Sequence, residues 1–262
     1  MKRGTKIAKA GDFAYLRGEK QPKLMSIIKH AGNRERPRVV SEETMLEAIE
    51  ELGIVPFFEN PIAGYSIEEL TPREYWFDGG DSLGPWDWKI YSVQSGEIAY
   101  GKFLWGGKAA FATVRLYREL MNWRRCLPKY APTAQQKAVL DLLEEQGSIG
   151  IRDVRALLGI KKSAADAIIT KLQMQTRVVT GDITRVYRGE DLHYNGWQVS
   201  SFCTPEALFA DDTGPQGFPG FPSSGDSLQS SLTPEQSREF LVDHIRSRVP
   251  GASEAQILRM FA

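Results

Sequence analysis

Cysteine and histidine are scarce in this chain of 262 residues, with two of the first and three of the second. Cys126 and Cys203 stand far apart and make no CxxC pair. That spacing argues against a disulfide framework and a zinc site, and leaves two ordinary thiols. His30, His193 and His244 are scattered, with no HxxxH or Cys/His cluster, so neither a metal nor a cofactor is expected. No apolar run approaches the roughly 18 residues of a membrane helix. The N-terminus lacks the charged-then-apolar pattern of a secretory leader, so the expected location is the cytoplasm, with no membrane partner. GxxxxGK[ST] and GxGxxG are both missing. This excludes the usual phosphate loop and dinucleotide turn.

Net charge is also missing, because 33 Lys/Arg meet 33 Asp/Glu, but the charges are unevenly spread. Residues 1–40 hold 11 basic and 3 acidic residues, a net of +8. Residues 41–126 carry −6, 127–190 carry +3 and 191–262 carry −5. A basic arm and a mildly basic middle suit a polyanion. A solvated tail is the plain alternative.

Caps and stops divide the rest. Ser41 caps a helix over 42–52, with Met45, Leu46, Ile49 and Leu52 on one face and Gly53 as its stop. Short helices start at Ser66 and Thr71. GGDSLGPWDWK (79–89) reads as a Gly-rich turn, and 98–105 with 108–113 as a hairpin around Gly106-Gly107. Residues 114–124 follow as a helix.

The region 133–202 is the most strongly patterned. Thr133 and Gln136 form a capping box, and Gly147 ends that helix. Ser148-Ile149 is a short strand. A second helix spans 151–158 and stops at Gly159. A third spans 163–175, with Ala164, Ala167, Ile168 and Leu172 inward. Strands over 177–187 and 196–202 flank the loop RGEDLHYNG. This order predicts a winged helix-turn-helix. Residues 211–231 are rich in Gly, Pro and Ser and read as a linker. Thr233 and Ser253 then cap two helices, a hairpin that docks on the body or on a protein partner.

The expected fold is therefore α+β. A basic, loosely structured arm (1–40) precedes a smaller α+β region (41–126). The winged helix-turn-helix (127–210), the linker (211–231) and a tethered C-terminal helical hairpin (232–262) follow.

In such a unit the third helix enters the major groove of duplex DNA. Lys161, Lys162, Ser163, Asp166, Thr170 and Lys171 lie off its apolar face, and Arg185, Arg188 and His193 lie on the wing. The cations would clamp phosphates, which sets affinity and not sequence. Ala164, Ala165, Asp166 and Ala167 offer no bidentate base contact, so sequence-specific reading is not expected. Contact with a protein through the same surface is the alternative.

An enzyme reading rests on residues 76–105. Trp76, Trp86, Trp88, Tyr91, Tyr100, Phe103 and Trp105 are interleaved with Asp78, Asp81, Asp87, Lys89, Glu97 and Lys102. Such a mixture can stack an unpaired base beside an acid or base. A small aromatic core with solvated charges is the structural alternative. If a site exists, it should be a concavity where this region faces the third helix and wing.

GPWDWK, AYGKFLWGGKAAF, KLQMQTRVV and GWQVSSFCTPEALF together resemble the bacterial AlkZ-related proteins, relatives of the AlkZ/YcaQ winged-helix DNA glycosylases. The resemblance spans roughly residues 41–262. It implies hydrolysis of an N-glycosidic bond of a damaged base, with Gln173 and Gln175 positioning the water. Asp87 or Glu97 would then serve as the carboxylate facing the sugar cation. After the glutamines this chain departs from the family pattern, since Arg177-Val178-Val179 opens a strand. Residues two apart on a helix diverge by about 200°. The glutamines can converge only if the helix has ended between them. Otherwise Leu172 and Met174 plug the core and both glutamines face solvent. The expected function is a DNA-binding protein related to these glycosylases; a non-catalytic DNA- or protein-binding module is the alternative.

Overall fold

The computed structural model describes residues 36–77, 84–209 and 228–262. Almost all of the basic arm and of the linker, together with Asp78, Asp81 and His30, lies outside the described residues. Among the described residues no helix is long and apolar enough to cross a membrane.

Local signals act where the caps stand. Helix α1 (Glu42–Leu52) starts at Ser41, whose side chain accepts from the Thr44 N–H, and stops at Gly53 in a left-handed conformation. Strand β1 (Ile54–Pro56) follows, so Pro56 belongs to a strand. Short helices α2 (Ile67–Leu70) and α3 (Glu74–Phe77) come next. Residues 85–89 of the expected Gly-rich turn belong instead to helix α4 (Pro85–Gln94), with Pro85 in its first turn, and 79–83 lie outside the described residues. Strands β2 (Ile98–Leu104) and β3 (Lys108–Thr113) form a hairpin joined by Trp105, Gly106 and Gly107, because Leu104 pairs with Lys108. Their sheet runs β1-β3-β2, all antiparallel, and helix α5 (Val114–Arg125) packs beneath it.

A 3-10 turn at Pro128–Tyr130 leads to α6 (Ala134–Gln146), β4 (Ile149–Gly150), α7 (Ile151–Leu158) and α8 (Lys162–Met174). A two-stranded ribbon follows, β5 (Val179–Arg188) and β6 (His193–Cys203), in a sheet ordered β4-β6-β5. The ribbon is longer than its loop predicted. Tyr187 pairs with Tyr194 and Arg188 with His193, which leaves a turn of 189–192. Helix α9 (Pro205–Leu208) closes this part. Helices α10 (Pro234–Arg248) and α11 (Glu254–Met260) complete the chain, capped at Thr233 and Ser253.

Two apolar cores result. The second is small: Val139, Leu143, Val154, Ala165, Ile169 and Leu172 gather α6, α7 and α8, with Val178 just before β5 and Phe202 from β6. The first holds residues of α1, β1–β3 and α5, together with Val179, Ile183 and Cys203. Neighbouring residues of β6 therefore enter different cores, Phe202 the second and Cys203 the first. That is the ordinary consequence of side chains alternating across a strand. Leu241, Val242 and Ile245 of α10 and Ile257 and Met260 of α11 also enter the first core. The apolar faces of both C-terminal helices thus lie in the chain's own interior.

The buried face of α8 differs from the expected one. Ala165, Ile169 and Leu172 are buried, whereas Ala164 and Ala167 are exposed. The helix is turned by one position because a second neighbour claims a further side of it. The β2–β3 hairpin packs across Thr170, Gln173 and Met174. Glycines make that approach possible: a Cβ at Gly107 would lie 2.7 Å from Thr170 Cγ2, and one at Gly101 2.9 Å from Gln173 Nε2.

Candidate functional site

The polar centre of the molecule lies where α4 meets the ribbon. Asp87 stands in the first turn of α4, where a carboxylate complements the helix dipole. Its Oδ1 accepts from Arg185 Nε at 3.1 Å, from Tyr194 Oη at 2.6 Å and from Gln198 Nε2 at 3.4 Å. Lys89 Nζ donates to Gln198 Oε1 at 2.6 Å and to the Trp86 carbonyl at 2.5 Å. Five side chains from three elements thus interlock. Burial of Lys89 drives its pKa down to about 8; Asp87 opposes this and Arg185 assists it. Arg185, expected to clamp phosphate, is committed to Asp87.

Glu97 does not join this cluster. It is half-buried after α4, and its N–H donates to Ser95 Oγ at 3.2 Å. Among the described residues no hydrogen bond or ion pair carries its carboxylate to Asp87 or to the glutamines. Three of the seven aromatic residues of this region are core: Trp88, Tyr100 and Phe103 are buried, and Tyr100 packs on Phe111 with centroids 4.8 Å apart. Trp86 and Tyr91 are exposed. Side chains in direct hydrogen bond join α4 to the ribbon. An open cleft of about 480 Å³ lies elsewhere, beside Met121, Asn122, Arg125 and Cys126.

Gln173 and Gln175 are not on the solvent side. They are 2% and 5% exposed. Gln173 Oε1 accepts from the Lys102 N–H at 3.0 Å, and its Nε2 donates to Thr180 Oγ1 at 3.3 Å. The side chain thereby fastens α8 to β2 and β5. Gln175 points away from it, and its Nε2 donates to Gln136 Oε1 at 3.0 Å. That oxygen also caps α6 by accepting from the Thr133 N–H at 2.8 Å. Gln175 Oε1 is buried with no hydrogen-bond partner among the described residues. The two amides therefore diverge, each tied to a different element.

The backbone explains the divergence. The Thr176 N–H donates to the Gln173 carbonyl at 2.9 Å and the Arg177 N–H to the Leu172 carbonyl at 3.0 Å. This pair of bonds is a Schellman closure, which needs a left-handed residue between them. Thr176 supplies it at φ 56°, although a β-branched residue is strained there. Arg124 and Arg125 hold the turn from outside. Arg124 is fully buried and donates to the carbonyls of Phe103 at 2.6 Å, Met174 at 2.9 Å and Phe261. Arg125 donates to the Thr176 carbonyl at 2.5 Å and pairs with Glu206. Neither arginine was distinguishable in the sequence from a solvated cation at a helix end.

The cations expected to meet DNA divide into two groups. Lys161, Lys162, Ser163 and Lys171 are exposed along α8. Arg152 and Arg155 of α7 are exposed as well. They were not singled out from sequence, although their three-residue spacing on a short helix was a usable signal. Arg188 is exposed on the ribbon with its guanidinium 5.3 Å from the Trp197 ring centre. Among the described residues no group of three or more His, Cys, Asp and Glu gathers as metal ligands.

The fold and this site define a mixed helix-and-sheet protein whose α8 is fastened to a β-hairpin through the buried amide of Gln173 and the buried Arg124. The chain matches the AlkZ-related family over residues 39–262 and belongs to that family. Comparison with curated proteins and with solved structures returned no match.

Proposed function

We propose that residues 127–209 form a winged helix-turn-helix unit and that the protein binds duplex DNA, in the bacterial cytoplasm, without hydrolysing it. Membership of the AlkZ-related family supports a DNA partner. One observation carries the reading. The α7–α8 surface exposes Arg152, Arg155, Lys161, Lys162 and Lys171, and the only acids on these two helices are Asp153 and Asp166. A surface of that kind binds phosphates and releases counterions. The alanines beside the lysines read no base, so affinity rather than sequence choice is its property.

The test is binding to a short duplex across a salt series. Affinity should fall steeply with salt. Replacing Lys161 and Lys162 by alanine should lower the log–log slope by roughly 2, about 0.9 for each phosphate no longer neutralised. Salt-insensitive binding, or none, would overturn the proposal.

One observation favours a second reading, hydrolysis of the N-glycosidic bond of a damaged base: the buried Gln175 Oε1, unpartnered among the described residues. A bound water is the common way to satisfy such an acceptor. Base release from alkylated duplex that is lost in Gln175→Ala and kept in Gln173→Ala would establish that chemistry. The non-catalytic reading expects no release above background.

A further inference from the structure

The β5–β6 ribbon carries the largest exposed apolar side chains of its half of the chain. Leu192 is 69% exposed, Trp197 and Val199 59% each, and Tyr187 53%. They are not scattered at random over it. Tyr187 pairs with Tyr194, which turns toward Asp87, so both rings lie on the face toward α4. Arg188 and His193 are the next pair and lie on the opposite face by alternation. Trp197 lies there too, beneath the Arg188 guanidinium. Leu192 stands in the turn that joins the strands, held at φ 52°. A leucine in the left-handed region is uncommon.

We infer that this ribbon is a wedge that enters an unpaired gap in duplex DNA, stacking bases on Trp197 and Tyr187. The inference rests on the DNA-binding reading and adds the kind of DNA that is bound. Rings on both faces can each meet a base only where strands have separated. The wedge is pre-organised. Tyr194 lies 5.7 Å from Tyr187, centroid to centroid, and Asp87 pins it at 2.6 Å. Cations accompany the exposed indoles, Arg188 at Trp197 and Lys89 Nζ 4.7 Å from Trp86. An apolar protein partner does not require that pairing; a base flanked by phosphates is favoured by it. Glu190 and Asp191 precede Leu192 in the turn, so the tip itself offers no cation to a phosphate.

The experiment compares the full chain and its variants on a duplex and on the same duplex carrying an unpaired bulge. The wild type should prefer the bulge. Trp197→Ala should reduce that preference about 5- to 150-fold, the range for losing one stacked base, and leave duplex affinity unchanged. Trp197→Phe keeps a ring and should retain most of the preference. Trp197 and Tyr187 are exposed, and unchanged thermal melting will show that their variants fold. Equal affinity for both DNAs, or a preference that survives Trp197→Ala together with Tyr187→Ala, overturns the wedge and leaves duplex binding standing. Binding to neither DNA overturns both readings.

Discussion

Replacing Arg124 by methionine should be among the most damaging single changes in this chain. The guanidinium is fully buried, and its donors reach the carbonyls of Phe103 on β2, Met174 at the end of α8 and Phe261 after α11. Two of these carbonyls terminate helices, where no intrahelical donor remains for them. Burial lowers the pKa of the group, with Tyr130 and Tyr117 acting against it. An arginine nevertheless stays charged at neutral pH. Each bond from a charged donor stabilises by about 1.5–3 kcal/mol, and part of that total offsets the cost of burying the charge. Methionine removes the charge and fills similar volume, but strands three acceptors. Three acceptors orphaned at about 1–3 kcal/mol each, less the relieved cost of burying the charge, give an expected loss of about 3–5 kcal/mol, a large share of the roughly 5–15 kcal/mol that domains possess. At about 2–4 °C per kcal/mol for this size, the melting temperature should fall by roughly 6–20 °C. Arg124→Lys keeps the charge and one or two of the bonds, so its loss should be intermediate. Urea unfolding measures each difference directly. A loss below about 1 kcal/mol in Arg124→Met would refute the view that this side chain joins the three segments.

Lys89 predicts a pH effect. Its folded pKa of about 8 lies below that of the unfolded chain, so between those values the unfolded state binds the extra proton. Stability should therefore rise as pH climbs from about 8 toward 10, and that rise should disappear in Lys89→Met; a parallel profile for the variant would refute the assignment. Gln136→Leu and Gln175→Leu should each cost about 1–3 kcal/mol by orphaning the other amide, and the double variant should cost less than their sum; strict additivity would show that the bond contributes nothing. Gly107→Ala should destabilise more than Gly106→Ala. Both have positive φ, but only at Gly107 would the new Cβ strike α8, at 2.7 Å. Equal losses in urea unfolding would mean that the hairpin does not press on the helix.

Much of the secondary structure can be read from the chain. Ser41, Thr133, Thr233 and Ser253 each accept from a backbone N–H three residues on, and Gly53, Gly147 and Gly159 each end a helix with positive φ. Helix α4 could not be read in this way. Asp87, Trp88, Lys89, Ile90, Ser92 and Val93 are all buried, so no polar face marks the helical period. Asp87 and Lys89 are polar and inside only because Arg185, Tyr194 and Gln198 come to them from about a hundred residues away.

The same division holds for the glutamines of KLQMQT. The chain by itself determined that a helix ends there and a strand begins, because caps and stops are local, made within one turn. Which side of α8 faces inward, and where Gln173 and Gln175 point, only the tertiary structure decided. Alanines at 164, 165 and 167 leave several faces of the helix nearly equal in apolarity. The choice among them fell to Gly101 and Gly107 of the β2–β3 hairpin and to Gln136 of α6, which bring the necessary partners from dozens of residues away.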